Sequence, residues 1–388
     1  MWPAAHTALA WLNLTHNRRR LAVSVAGVVC AVLMMFMEVG FLNAMFDGQL
    51  TLLESLDTDL VVLSTRTRTL ARSMLFPRRR LEQVLAVPGI AAAQPLYVEY
   101  ATALWKNPHD RHLRPIRVLA FDPNVSALRL PALARYRDAL QRADTALFDA
   151  QSKPYYGQMA PGMTTELARR TLHIVGLFAL GTDFIYEGNV LMSERNFGRF
   201  FPRRLSAEGT LRGVDIGLLR LAAGADPFRV QRAVVEALPA DVIVRTKAQL
   251  RAQEMAYWQD STPVGFVFTL GTAMGFVIGV MICYQILFTD VVDHLPQFAT
   301  LKAIGYTNRS LIAVVLQEAL LLACLSFVPG LGLTQVLYTV LARLTGLPLY
   351  LTVWRAGLIL LLTIALAMVA GLIAVRKVLA TDPAEVFA

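Results

Sequence analysis

Four stretches of the chain stay apolar long enough to cross a hydrocarbon layer, which takes about 20 residues in a helix. The first runs from Leu21 to Phe46, with Glu38 as its only charge. The second, Pro263 to Phe288, has no charge at all. The third, Leu311 to Leu341, carries Glu318 early and a Pro329-Gly330 break later. The fourth, Ala356 to Val375, is again uncharged. Backbone amides find no water in lipid and must bond within their own segment, so the pattern predicts helices. The expected spans are 21–46, 261–289, 310–342 and 356–375.

Between the first two spans the pattern changes. Residues 47–260 are too many for a connector and enough for one or two folded lobes. Strand-like runs occur at Asp59–Ser64, Ile116–Phe121, His173–Leu180, Val214–Leu221 and Asp241–Arg245. Helix-like runs occur at Arg78–Ala86, Ala127–Arg142 and Pro227–Leu238, the last with Asp226 as N-cap and Pro227 at the first helical position. Strand, helix, strand across 214–245 reads as an α/β unit, and 145–165, rich in Tyr, Gly, Pro and Met, as an irregular excursion. The predicted fold class is an α-helical membrane protein with four transmembrane helices and a large mixed α/β periplasmic domain inserted between helices 1 and 2.

Charge sets the orientation. Only short flanks count, because long loops translocate whatever their charge. With the N-terminus inside, the inner flanks hold Arg18, Arg19, Arg20, Lys302, Arg309, Arg376 and Lys377, and the outer turn 343–355 holds Arg343 and Arg355. Both termini are therefore expected in the cytoplasm, with residues 376–388 as a cytoplasmic tail. The arginine cluster lies too far along, and the apolar run after it is too long, for a cleaved signal peptide. Trp2, Leu9, Trp11 and Leu12 fall near one helical face, which predicts an amphipathic helix on the cytoplasmic interface within residues 1–20.

Composition narrows the function. Of the 388 residues 55% are apolar and 17% charged, against about 45–50% and about 25% in soluble proteins. A soluble enzyme and a disordered chain are both excluded. The net charge of +9 is scattered, so a nucleic-acid partner is not expected. Cys30, Cys283 and Cys324 sit singly in apolar runs and offer neither disulfides nor a metal site. Pro108-His109-Asp110-Arg111-His112 lacks a third ligand and reads as a solvated hairpin tip. Phe76-Pro77-Arg78-Arg79-Arg80 reads as a helix start that an acidic partner or a lipid phosphate could touch. No catalytic grouping is evident, so no enzyme activity and no cofactor are expected on this chain. No G-x-x-x-x-G-K-[ST] occurs, so ATP is not bound through a P-loop. The spans hold almost no ionisable groups, which argues against a polar conduit. Glu38 and Glu318, the exceptions, lie toward span ends.

Two further patterns stand out. Gly271, Gly275 and Gly279 share one helical face and allow close helix approach, either inside the chain or in a homodimer seam. Residues 290–309 form a polar elbow that turns helical after Pro296, with Phe298, Leu301 and Ile304 or Gly305 in a stripe. Such a short amphipathic helix can enter a groove on a partner.

The elbow motif Ala299-Thr-Leu-Lys-Ala-Ile-Gly305 and the tail Thr381-Asp-Pro-Ala-Glu-Val386 resemble the cytoplasmic signatures of FtsX/MacB-type ABC transporter permeases. The layout of one span, a large outer domain and three spans is similar, as is Val87-Pro-Gly-Ile-Ala. Asp293 to Tyr306, Ala10 to Thr15 and Asp57 to Leu63 resemble the DevC-like members most. The family's macrolide exporters carry a fused ATPase domain, which this chain lacks. The resemblance implies a homodimer in the bacterial inner membrane working with two copies of an ABC ATPase subunit that holds ATP and Mg. The ATPase-coupling residues would be Asp293, His294, Gln297, Phe298, Leu301, Lys302, Ile304 and Gly305. It further implies mechanotransmission: export of a lipophilic cargo such as a glycolipid, with a periplasmic membrane-fusion adaptor and an outer-membrane TolC-like duct. The same architecture could instead signal to a periplasmic partner such as a cell-wall hydrolase, without cargo.

Overall fold

The computed structural model describes residues 11, 15, 18–260, 263–304 and 307–380. Most of the expected interfacial helix and all of the 381–386 tail motif lie outside them. The described chain forms two compact units, one of long helices and one comprising Ala44–Pro263 together with Ala342–Pro348.

The first helix, α1 (Arg18–Ser55), has 38 residues, about 57 Å at 1.5 Å per residue. It continues past the expected span end at Phe46. The reason lies in its last turns and the residue after them, where Leu50, Leu53 and Leu56 recur at three-residue spacing and are buried in a core of the inserted unit.

The inserted unit is one 11-stranded sheet rather than two lobes. In chain order its elements are β1 (Leu60–Ser64), α2 (Arg79–Leu85), β2 (Ile90–Glu99), β3 (Leu104–Lys106), β4 (Leu113–Pro115), β5 (Arg117–Phe121), α3 (Pro131–Gln141), β6 (Thr145–Asp149), β7 (Thr164–Leu167), β8 (Arg170–Phe178), β9 (Asn189–Ser193), α4 (Glu194–Phe200), β10 (Ile216–Leu221), α5 (Pro227–Ala237), β11 (Val242–Thr246) and α6 (Lys247–Asp260). The strand order is β11-β1-β10-β2-β5-β9-β6-β8-β7-β3-β4. Pairing is antiparallel except between β5 and β9 and between β6 and β8.

Both faces of the sheet are covered, as β1 shows. Leu60 and Val62 enter one core with Tyr97, Trp105 and Val230. Val61 and Leu63, pointing the other way along the two-residue period, enter a second core with Leu53, Leu218 and Leu250. A strand buried on both sides reads as an unbroken apolar run. The expected α/β unit at 214–245 exists, with Asp226 accepting a hydrogen bond from the Phe228 amide at the start of α5. Its two strands are not neighbours, because β1 lies between them and pairs antiparallel to both.

Part of the expected irregular excursion is regular. All five residues of β6 are buried, and this strand lies between β9 and β8. The His109/His112 segment is the tip between β3 and β4, as expected. Asn107 Oδ1 accepts from the His109 amide at 2.8 Å and Asp110 Oδ1 from the His112 amide at 3.0 Å. No cluster of metal-binding side chains occurs among the described residues.

The arginine run serves the fold. Buried Arg80 donates from Nε and Nη2 to the Asp241 carboxylate at 3.1 and 2.8 Å. Arg78 donates to the Tyr97 hydroxyl at 3.0 Å. The hydrogen bonds from Arg80 hold the Asp241 carboxyl below its ordinary 3.8, against a small opposing effect of burial. The stability this contact adds is therefore fully present above that ordinary value and is lost as pH falls through the lowered one. Asp241→Asn should cost about 1 kcal/mol at neutral pH, a value discounted for the partial exposure of Asp241. Thermal unfolding of the purified protein should show that gap closing in acid, where the native carboxyl is itself protonated.

In the helical unit, α7 (Pro263–Asp293), α8 (Leu295–Ala303), α9 (Asn308–Thr345) and α10 (Val353–Ala380) follow in order. Four helices, α1, α7, α9 and α10, are long and apolar enough to cross a membrane. Val32, Met35, Cys283, Leu322 and Leu366 meet in the core of this unit. The expected break at Pro329-Gly330 is absent, and α9 runs through it. A proline removes one backbone donor, and neighbouring helices make that tolerable in a span. Here Gly330 lets Val32 approach so closely that a Cβ would lie 2.8 Å from its Cγ1.

Candidate functional site

The elbow between α7 and α9 gathers most of the residues that the sequence singles out. The second long helix continues to Asp293, so Asp290 and Asp293 lie one turn apart on its end. Pro296 stands in the first turn of α8, where a missing amide costs nothing. The Thr300 hydroxyl donates to the Pro296 carbonyl at 2.8 Å. Thr307 then leads into α9, its carbonyl accepting from the Ser310 amide at 2.9 Å.

Arg20, on the first turn of α1, ties this elbow to the first span. Its guanidinium lies 3.4 Å from the Asp290 carboxylate and donates to Asp293. His294 donates from Nδ1 to the Asp290 carbonyl at 2.8 Å, which fixes the corner between α7 and α8. One cation thus clamps two carboxylates from a neighbouring helix, at a side-chain exposure of 30% for Arg20 and 15% for Asp290. At such exposure the pairing fixes geometry more than it adds stability.

The other expected coupling residues divide in two. Gln297 is exposed, Lys302 is half-buried, and Ile304, which ends α8, is 72% exposed. Phe298 and Leu301 belong to α8, but their side chains lie outside the described residues, as does Gly305 altogether. An isoleucine left open at the end of an amphipathic helix is an apolar contact point.

The glycine face is occupied within the chain. A Cβ at Gly271 would lie 2.6 Å from the carboxyl carbon of Glu38, at Gly275 3.6 Å from Met35 Cγ, and at Gly279 3.1 Å from Ala31 Cβ. All three glycines therefore pack α7 onto α1, with Glu38 in that contact. Glu318 is buried inside the helical unit. On α7, Val267, Leu270, Met274, Val277 and Met281 are exposed. Their alternating spacing of three and four residues is that of a coiled-coil seam.

The sequence reading missed Arg20 as a site residue. In the sequence alone it reads as a topological charge. The available signal was the Asp290/Asp293 pair, one turn apart and on the same predicted side of the membrane as the arginine cluster.

Comparison with known proteins shows what the chain resembles. Residues 266–383, from α7 through the elbow to the tail, match the family described as FtsX-like permease C-terminal. An uncharacterized ABC transporter permease of Mycobacterium tuberculosis is 23% identical over 383 residues, covering 97% of each chain. A second one from the same organism is 23% identical over 377 residues, covering 96% of each.

Residues 266–383 are thus similar to an FtsX-like permease C-terminal region, in a chain similar along nearly its whole length to ABC transporter permeases.

Solved structures similar to part of the permease include the periplasmic region of MacB from Actinobacillus actinomycetemcomitans. That match has a TM-score of 0.36 and 8% identity, and covers 51% of this chain and 92% of that one. The extracellular domain of the noncanonic ABC-type transporter YknZ from Gram-positive bacteria matches with a TM-score of 0.32 and 10% identity, covering 49% and 99%. The elbow presents an open apolar end at Ile304.

Proposed function

We propose that the permease is the membrane subunit of an ABC exporter working by mechanotransmission. A separate ATPase, carrying ATP and Mg, grips α8 from the cytoplasm. Its closure moves the elbow, and the first span carries that motion outward to drive a lipophilic cargo, such as a glycolipid, through an adaptor and an outer-membrane duct. The observation that carries this reading is the Arg20 clamp. It joins the elbow to the one helix, α1, that continues without interruption from Arg18 to Ser55. Moving α8 must then move the base of α1.

The reading places the permease in the bacterial inner membrane with both termini in the cytoplasm. The almost uncharged spans support it, since they offer no path for a polar solute. Affinity capture from native membranes tests it. Recovery of a P-loop ATPase together with a coiled-coil adaptor is the expected result. An ATPase with a cell-wall hydrolase and no adaptor would turn the reading to signalling.

The homodimer is assigned to the outward stripe on α7, because the glycine face is already filled. In a cysteine-free background, Val277→Cys should form a disulfide-linked dimer under mild oxidation in the membrane. Gly275→Cys should not. The reverse pattern on a denaturing gel would return the seam to the glycines.

A further inference from the structure

The inserted unit contains a cavity of about 540 Å3, within the range of small-ligand pockets. Three segments and Thr51 of α1 wall it, the segments being residues 150–154, residues 180–182, and residues 342–348. The third joins the ends of spans three and four. It begins one residue after Leu341, so this wall lies within a few residues of the bilayer surface whatever the posture of the rest of the unit.

The walls are pinned from behind by one buried carboxylate. Asp149 accepts the Gln151 amide at 3.0 Å on the first segment. It accepts the Leu180 and Gly181 amides at 3.2 and 3.0 Å on the second. Asn189 Nδ2 donates to it at 2.7 Å, and Asn189 Oδ1 accepts from Arg117 Nε at 2.7 Å. Arg117 is in turn paired with Asp183 at 3.1 Å. All four side chains are buried. The third wall is tied in by the Thr182 hydroxyl, which donates to the Gly346 carbonyl at 3.2 Å. Gly346 has φ +72, the left-handed cap that ends α9 and exposes its last turn.

The lining has two cations, Lys153 and Arg343, and no carboxylate. Lys153 is engaged by Glu187 at 2.7 Å. Arg343 has no hydrogen bond or ion pair with any described residue. Beside it lie Ser152 as a hydroxyl donor, and Leu344 and Leu347 as apolar wall. A pre-formed, acid-free cleft with a free guanidinium, a hydroxyl and leucines at a membrane boundary suits an anionic head joined to a greasy body.

We infer that this cavity holds the phosphate headgroup of an anionic phospholipid of the outer leaflet, with Arg343 on the phosphate and Leu344 and Leu347 along the start of the acyl chains. The inference deepens the export reading and rests on it, because it needs the turn 343–355 to lie outside. It makes the permease a reader of lipid headgroups at the membrane edge of its inserted domain.

The test uses the full-length permease in nanodiscs of phosphatidylcholine doped with phosphatidylglycerol, with p-benzoylphenylalanine placed at Leu344. Irradiation followed by intact-mass measurement should give an adduct of phosphatidylglycerol in excess of its share of the bilayer. Arg343→Glu should lower that adduct about tenfold, the factor that a single charge-assisted contact is worth. Arg343→Gln, gentler to the fold, should fall in between. Adducts that follow bilayer composition and ignore Arg343 overturn the inference, and so does suppression of the adduct by inorganic phosphate, which would make the ligand a free anion. Labelling of Ser152→Cys with an impermeant maleimide separates the two levels. Labelling from outside without a phosphatidylglycerol adduct defeats this inference alone, whereas labelling only from inside defeats the export reading beneath it.

Discussion

Ile304→Asp should leave the permease inserted and folded but stripped of its ATPase. The side chain is 72% exposed and ends the amphipathic helix α8, so its replacement disturbs little packing among the described residues. Burying an isoleucine in a partner's groove stabilises a complex by about 1.5–3 kcal/mol. A carboxylate there loses that contribution and adds a desolvation cost. The two together should weaken ATPase binding by about 100-fold or more, since each 1.4 kcal/mol is about tenfold. Phe298→Asp, placed in the same stripe by the sequence pattern, should act alike. The measurement is recovery of the ATPase with tagged permease from solubilised membranes, alongside a protease-protection check of insertion. Undiminished recovery from both variants would remove α8 from the coupling role.

Asp149→Ala should be the most damaging single change in the inserted domain. Three backbone amides and the Asn189 side chain lose their common acceptor, and Arg117 loses the order of its relay. Removing one member of a buried charged network costs about 3–5 kcal/mol, mostly because the partners stay buried and unmet. That is a large share of the about 5–15 kcal/mol that a whole domain has in reserve. Thermal unfolding of the inserted domain within the full-length protein should therefore begin well below that of the native chain. Asp149→Asn retains an acceptor oxygen but must give up at least one amide partner, so it should lie between them. An Asp149→Ala protein that melts like the native one would mean that the loops at 150–154 and 180–182 are held by other contacts.

How much of this was legible in the sequence follows from how local each cause is. The spans were legible because the bilayer demands about 20 apolar residues in a row, and nothing in a soluble core imitates that at four places. The strand β1 was legible because burial on both faces makes it uniformly apolar. The strand β6, Thr-Ala-Leu-Phe-Asp, was not, because its last residue is a carboxylate three of whose four partners come from residues 31 and more positions away. The close approach along Gly271, Gly275 and Gly279 was legible, but its partner was not. A row of small residues says that a helix comes near, and only the packing shows that the helix is α1, at Glu38, Met35 and Ala31.

The elbow shows the same division. Its apolar stripe and its proline are local and could be read directly. The Arg20 clamp joins residues 270 and 273 positions apart and had no local sign. A charge beside a span satisfies the topology rule so well that a second role for it stays hidden.

The central claim is that nucleotide energy enters at α8 and leaves as movement of the inserted domain. The most direct measurement is the distance between spin labels at Arg135→Cys in the two copies of the proposed homodimer, bound to the proposed ATPase in a membrane. The account predicts that trapping the ATP-bound state shifts the distance distribution, and that Arg20→Ala blunts the shift while the ATPase stays bound. One unchanging distribution, with and without nucleotide in a complex that hydrolyses ATP, would contradict it.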